Sequence, residues 1–258
     1  MKIDLNCDMG ESFGNYTLGR DAEIIGHITS ANVACGCHAA DPLVMDQTVR
    51  LALAHGVGIG AHPGYPDLRG FGRRRMECSA EEIRSDVLYQ IGALHAIAKA
   101  AGASLQHVKP HGALYNTAMA DQAVARPICQ ALAAYAPELI LVTLAGPGGE
   151  TMRRVAAQEG LTQVAQEAFA DRAYTSEGRL VPRNQPGAVI HDPALVAARC
   201  LRMATEGVVE ADDGTLVPLR PHTICVHGDT QGAVELARAI RAGLDKQGVA
   251  VVPLAQVL

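Results

Sequence analysis

The sequence predicts an α/β fold, a barrel of parallel strands in which each strand is followed by a helix. Three observations lead there. Apolar runs recur seven or eight times along 258 residues, each followed by a polar or glycine-rich cluster and then by helical periodicity. Several of these runs are apolar without alternation, as in parallel strands buried on both faces. The first run is not followed by a G-x-G-x-x-G turn, which disfavours the main rival, a doubly wound open sheet.

The expected strands cover 2–7, 30–35, 56–61, 105–109, 139–145, 161–168 and 222–227, with a weaker eighth run at 249–254. Between them, Asp41-Pro42 places an N-cap before a proline at the first helical position, opening a helix to about Ala54 with Gly56 beyond it. Ser79 and Glu82 form a capping-box pair. The helix after them carries Ile83, Val87, Leu88, Ile91, Leu94 and Ile97 on one face and stops near Gly102. Further helical patterns cover 121–135, 149–158, 193–206 and 231–247. No linker, low-complexity stretch or fixed-period repeat divides the chain, so 1–258 reads as one domain, long enough to bury roughly three-quarters of its unfolded surface.

Composition excludes several functions. Lys+Arg 22 against Asp+Glu 27 gives a net charge of −5, which argues against nucleic-acid binding. The densest basic run, Arg73-Arg74-Arg75, is suited only to one anion or carboxylate. No stretch approaches the roughly 18–20 apolar residues of a membrane span, and the N-terminus lacks a secretory pattern. Seven cysteines form no zinc-knuckle spacing, and Cys129, Cys200 and Cys225 lie among apolar neighbours and read as core filler. These features point to a cytoplasmic protein. Trp is absent and aromatic residues are 3%, which disfavours sugar- or base-stacking platforms.

The chemistry-bearing residues cluster at strand ends. The first strand ends in Asn6-Cys7-Asp8-Met9-Gly10-Glu11, the second leads to His38 and Asp41, and the third to His62. The fourth ends in Lys109-Pro110-His111, the sixth in Glu167 through Asp171-Arg172, and the seventh in His227-Gly228-Asp229. In a β/α barrel those ends converge on one mouth, where active sites form. Singly, each has an ordinary explanation: His62 as a hydrogen-bonded core histidine, Asp41 as a helix cap, Asp229 as a cap for the last helix. Six polar, ionisable strand ends together are hard to explain that way.

These residue types suit hydrolysis at a carbonyl. Asp8, Glu11, Glu167, Asp171 and Asp229 can accept protons or orient water, and His38, His62, His111 and His227 titrate nearest neutrality. Lys109 can stabilise an oxyanion. Arg172 and Arg183 offer forked recognition of a carboxylate or phosphate, or form surface ion pairs. Asp8, His38 and His62 have the composition of a two-His, one-carboxylate divalent-metal site, although spacings of 30 and 24 residues carry no specificity. Gly146-Pro147-Gly148-Gly149 could cradle an anion at a helix N-terminus or simply make a tight turn, and it lacks the P-loop lysine. There is no G-x-S-x-G elbow.

At these same loops the sequence resembles the LamB/YcsF family of 5-oxoprolinase A subunits. The resemblance rests on residues 4–14 (DLNCDMGESFG), 31–42 (ANVACGCHAADP), 60–67 (GAHPGYPD), 70–74 (GFGRR), 108–116 (VKPHGALYN), 167–172 (EAFADR) and 226–229 (VHGD). It departs where Cys37 replaces an aromatic residue and Ala40 a glycine. The resemblance implies a distorted seven-stranded barrel of the glycoside hydrolase/deacetylase type, with the eighth apolar run as a terminal addition. It also implies ATP-dependent opening of 5-oxo-L-proline (pyroglutamate) to L-glutamate, performed with partner subunits B and C. ATP would be a co-substrate of the complex; this chain has no P-loop, which leaves a partner subunit as a candidate to hold it.

On that reading the partners activate the lactam and this chain completes the hydrolysis. Asp8 or His62 would activate water, while Lys109 and His111 would stabilise the oxyanion or protonate the leaving nitrogen. Asn6 and Arg172 or Arg183 would hold the substrate. Two other readings of the residues stay open: a stand-alone metal-dependent deacetylase acting on N-acetylated sugars, and a non-catalytic scaffold for the partner subunits.

Overall fold

The computed structural model describes residues 1–230 and 232–258. Seven strands close on themselves: β1 (Lys2–Met9), β2 (Ser30–Ala34), β3 (Gly58–His62), β4 (Leu105–Val108), β5 (Ile140–Leu144), β6 (Val164–Phe169) and β9 (Thr223–His227). Every neighbouring pair is parallel, and pairing of β9 with β1 over Asp4–Asp8 completes the ring. The resemblance's seven-stranded barrel is therefore borne out. The eighth apolar run supplies β10 (Ala250–Val251), which pairs with β1 at Lys2 and Ile3 outside the ring.

Helices connect the strands. They are α1 (Asp21–Ile24), α2 (Pro42–Ala54), α3 (Ala80–Ala100), α4 (Gly112–Ala120), α5 (Gln122–Tyr135), α6 (Glu150–Gln158), α7 (Pro193–Thr205) and α8 (Ala233–Lys246). The expected caps are present: Asp41 accepts from Leu43 N and Val44 N at the start of α2, and Ser79 with Glu82 closes a capping box on α3. The periodic face of α3 is buried at Ile83, Val87, Ile91 and Leu94.

Several details differ from the sequence reading. Helix α4 was not expected; it follows a glycine and has little amphipathic contrast, with Leu114, Tyr115, Ala118 and Met119 buried. A single residue, Asp121, ends α4 and N-caps α5. The last helix begins at Ala233; the expected start at 231 lies outside the described residues. Between β6 and β9 the chain makes a long excursion containing α7 and a small antiparallel hairpin, β7 (Val208–Glu210) with β8 (Leu216–Pro218). The glycines at 146–149 make a tight turn. A Cβ on Gly149 would fall 1.9 Å from Leu144 O and one on Gly148 2.2 Å from Gly178 O, so close backbone packing requires them.

The apolar core lies between the barrel and its helices. In β1 the odd-numbered Ile3, Leu5, Cys7 and Met9 are buried there. Asp4, Asn6 and Asp8 alternate with them and, by the period-2 geometry of a strand, face the barrel axis. The axis is thus polar, where a β/α barrel is commonly filled with branched apolar layers.

Candidate active site

The polar axis is built upward from β1. Asn6 donates to Glu167 Oε1 on β6 (3.0 Å) and to Thr223 Oγ1 on β9 (2.6 Å). Asn32 on β2 donates to Asn6 Oδ1 (2.7 Å) and Asp8 Oδ1 (2.8 Å), and His107 Nε2 on β4 donates to Asn32 Oδ1 (2.7 Å). Burial, reinforced by the Lys109 charge, pulls His107 down to about 3, so it is neutral. Gly60 makes room for this ring: a Cβ there would lie 2.0 Å from His107 Nε2. A register shift opposite Ile59/Gly60 resets the alternation of β4 and turns His107 and Lys109 inward.

Lys109, just beyond β4, is fully buried and held between two carboxylates. Its Nζ lies 2.9 Å from Asp8 Oδ1 and 2.7 Å from Glu167 Oε1, with Asn6 Oδ1 at 3.3 Å and Cys225 Sγ at 3.1 Å. Burial works against its charge, but Asp8, Cys225 and Glu167 outweigh burial and hold its pKa well above the usual lysine value. Burial likewise acts to raise Asp8, and the neighbouring His62 and Lys109 outweigh it and hold Asp8 well below the carboxylate range. This is a fixed cation on the cavity floor.

Beside it stands a carboxylate–histidine pair. His227 Nδ1 lies 2.8 Å from Asp171 Oδ1, and Thr230 Oγ1 donates to Asp171 Oδ2 (2.9 Å). Burial would raise Asp171, but His227 and Thr230 overcome it and keep the carboxyl below its ordinary value. Held in this way, the imidazole presents Nε2 as its acceptor. The ring stacks on Phe169 at 5.3 Å, and that phenyl face also lies 5.2 Å from Lys109 Nζ.

Glu11, His38, His62 and His111 form a second group, each more than nine-tenths buried, whose donor atoms lie within 4.8 Å of one another. His62 Nδ1 donates to Lys109 O (2.6 Å), and His111 Nε2 donates to Phe71 O (2.8 Å). Burial, then Asp8 and Asp229, push Glu11 well above the carboxylate range. Burial and His62 hold His38 well below the usual histidine value; burial, then His38 and His62, do the same to His111. Neither nitrogen of His38 nor Oε1 of Glu11 has a hydrogen-bond partner among the described residues.

Asp8, His62, Lys109, His111 and His227 line a cavity of about 560 Å³, lined also by Arg73, Arg172, Arg179 and Arg183. Of these, Arg179 and Arg183 suit an anionic ligand. Arg73 is engaged by Asp229 (2.7 Å) and Arg74 by Asp67, so the basic run holds carboxylates of the chain itself. Arg179 and Arg183 make no side-chain hydrogen bond or ion pair among the described residues.

The expected residues therefore gather at one mouth, with three corrections of role. Asp8 Oδ1 accepts from Lys109 and Asn32 and lies 3.4 Å from His62 Nε2, but the donors that cluster with His38 and His62 are Glu11 and His111, while Asp8 clusters with Cys225 and His227. Arg172 turns its guanidinium onto the carbonyls of Ala188 and Val181 and braces the loop; burial, then Arg183, lower its pKa to about 10. Asp229 pairs with Arg73 and does not cap α8, whose N-cap is Gly232. Sequence reasoning missed His107 as an axis residue and took Cys225 for core filler. The signal for both was inward alternation, in 107/109 of β4 and 223/225/227 of β9.

Comparison with known proteins agrees with this picture. A family model described as the LamB/YcsF family matches residues 3–258. The chain is 54% identical over 254 residues to a protein of Syntrophobacter fumaroxidans named as the A subunit of 5-oxoprolinase, covering 98% of this chain and 99% of that one. It superposes on a crystal structure of a lactam utilization protein from Thermus thermophilus with a TM-score of 0.91 and 52% identity, over 98% and 99% of the two chains. A solved T48 deacetylase shares the fold alone, with a TM-score of 0.51 at 14% identity over 99% and 89% of the two chains.

Proposed function

The chain belongs to the LamB/YcsF family, and from that premise we propose that it is the A subunit of an ATP-dependent 5-oxoprolinase. It would open the lactam of 5-oxo-L-proline to L-glutamate together with partner subunits B and C. The observation that carries this reading is the likeness, at half of all residues and over the full chain, to relatives bearing that name. The cavity supports it, because a small anionic lactam needs a cationic rim and a buried carbonyl-stabilising group, and both are present.

An unstrained lactam resists water because attack at C5 destroys amide resonance. Activation at the expense of ATP, carried out with the partners, would make C5 electrophilic. In this chain His227 Nε2, aligned by Asp171, takes the proton from the attacking water and returns one to the ring nitrogen as the C–N bond breaks. Lys109 stabilises the negative charge that develops on oxygen, and its two carboxylate partners hold it in place. Arg183, with Arg179, receives the substrate carboxylate. On this reading the dyad takes the place of Asp8, whose Oδ1 accepts from Lys109 and Asn32, and of His62, whose Nε2 faces His111 Nδ1 at 3.0 Å.

Among the described residues no helix is long and apolar enough to cross a membrane, and all seven cysteines are free thiols. Free thiols suit a reducing compartment, and the cytoplasm is the one proposed. Glutamate release from 5-oxoproline and ATP, with active B and C subunits and with or without this chain, tests the assignment. Release that requires the chain is expected; release of equal rate without it would overturn the reading.

A further inference from the structure

We propose that Glu11, His38, His62 and His111 form a divalent transition-metal site at the barrel mouth, of the class that takes zinc or cobalt. Backbone carbonyls fix two of the tautomers. A carbonyl oxygen only accepts, so His62 carries its hydrogen on Nδ1, toward Lys109 O, and His111 carries its hydrogen on Nε2, toward Phe71 O. Their other nitrogens, His62 Nε2 and His111 Nδ1, are then both lone pairs in the neutral rings. Yet they face each other at 3.0 Å. Two acceptors at that distance need a cation between them or beside them, and Asp8 Oδ1, 3.4 Å from His62 Nε2, adds a negative charge that favours one.

The surroundings favour a metal over a proton. One proton would join His62 to His111 and leave Glu11 Oε1 and both nitrogens of His38 buried without partners. Such atoms each carry a desolvation cost of about 1–3 kcal/mol. A metal ion would take Glu11 Oε1 and one nitrogen from each histidine, leaving His38 Nδ1 alone of these atoms without a partner. Glu11 Oε1 is 3.6 Å from His38 Nε2 and 3.8 Å from His111 Nδ1, and a tetrahedron with metal bonds of roughly 2.0–2.1 Å has edges of roughly 3.3 Å. Three imidazoles and one carboxylate suit zinc or cobalt better than magnesium or calcium, which prefer oxygen.

The supporting shell has the same character. Ligating histidines usually donate their outer N–H to a carbonyl or carboxylate, and here two of the three do so. The Phe71 carbonyl is aimed by a backbone in the left-handed region (φ 54), an unfavourable conformation for a bulky residue. Gly72 beside it is required by contact: a Cβ would lie 2.8 Å from both His38 Cβ and His111 Cδ2. His38 stacks flat on His111 at 3.7 Å, so binding would tip it out of the stack, a motion that breaks no hydrogen bond. These side chains make the site whatever the identity of the substrate.

The test uses the full chain, stripped with a chelator and titrated calorimetrically with Zn²⁺ and Co²⁺. Binding of one ion per chain, a zinc-dependent rise in Tm and the intense visible bands of four-coordinate Co²⁺ are expected. Glu11→Gln and His38→Asn, checked for fold by circular dichroism, should each weaken binding at least about tenfold. Glu11→Gln preserves size and decides the matter if His38→Asn does not fold. No binding by the folded wild-type chain, or equal binding by the folded variants, would overturn the proposal. So would an NMR signal for a proton shared by His62 and His111 that persists with either metal in excess.

Discussion

Among single residues, Lys109 has the widest consequences. A buried ammonium flanked by Asp8 and Glu167 is stable only as a set, because removing the cation leaves two carboxylates facing each other in a low-dielectric site. Lys109→Met should therefore lower stability by about 3–5 kcal/mol and reduce turnover by about 10²–10³-fold. Denaturant melts and glutamate release measure the two effects. A variant with normal turnover would remove Lys109 from the chemistry. Much of this site was legible in the sequence, since Asp8, Lys109, His62 and His227 all end or follow strands. The pairing of donors was not. Nothing in the spacing of 8, 38 and 62 says that Asp8 accepts from Lys109 and Asn32, or that Glu11 and His111 join His38 and His62.

At the scale of elements, caps and turns decide how the loops reach the mouth, and these were well encoded. Asp41-Pro42 and Ser79–Glu82 begin their helices where expected. Helix α4 was hidden because its residues are apolar on most sides, leaving no periodic contrast. The departure at Ala40 has a structural consequence: Ala40 adopts φ 68, the left-handed region where glycine bears no Cβ penalty. Ala40→Gly should raise unfolding free energy by about 1 kcal/mol, read from chemical denaturation. A loss of stability would show that the Ala40 methyl packing outweighs the backbone strain.

For the molecule as a whole, the polar barrel axis sets the pH response. Asp4 at its closed end accepts from Thr29 and Ser30 (2.7 Å each) and from Thr223. Burial nonetheless lifts its pKa from 3.8 to about 6. Its folded-state pKa lies above the unfolded value, so its contribution is fully present below about pH 4 and is lost as pH rises through 6. The stability difference between wild type and Asp4→Asn should fall by roughly 3 kcal/mol between pH 4 and pH 7. A constant difference would refute the shift. The strand–helix alternation gave away the barrel, whereas its polar interior was visible only in the alternation of 4, 6 and 8 against 3, 5, 7 and 9.

Under the proposed function, the Asp171–His227 pair would place ring opening in this barrel and not merely beside it. The most direct measurement is glutamate release by the complete complex carrying Asp171→Asn, with assembly verified by co-elution of all three subunits. A catalytic dyad predicts an intact complex whose glutamate release falls by about 10²–10⁴-fold. Release within a few-fold of wild type from an intact complex would contradict it and leave this chain as a scaffold.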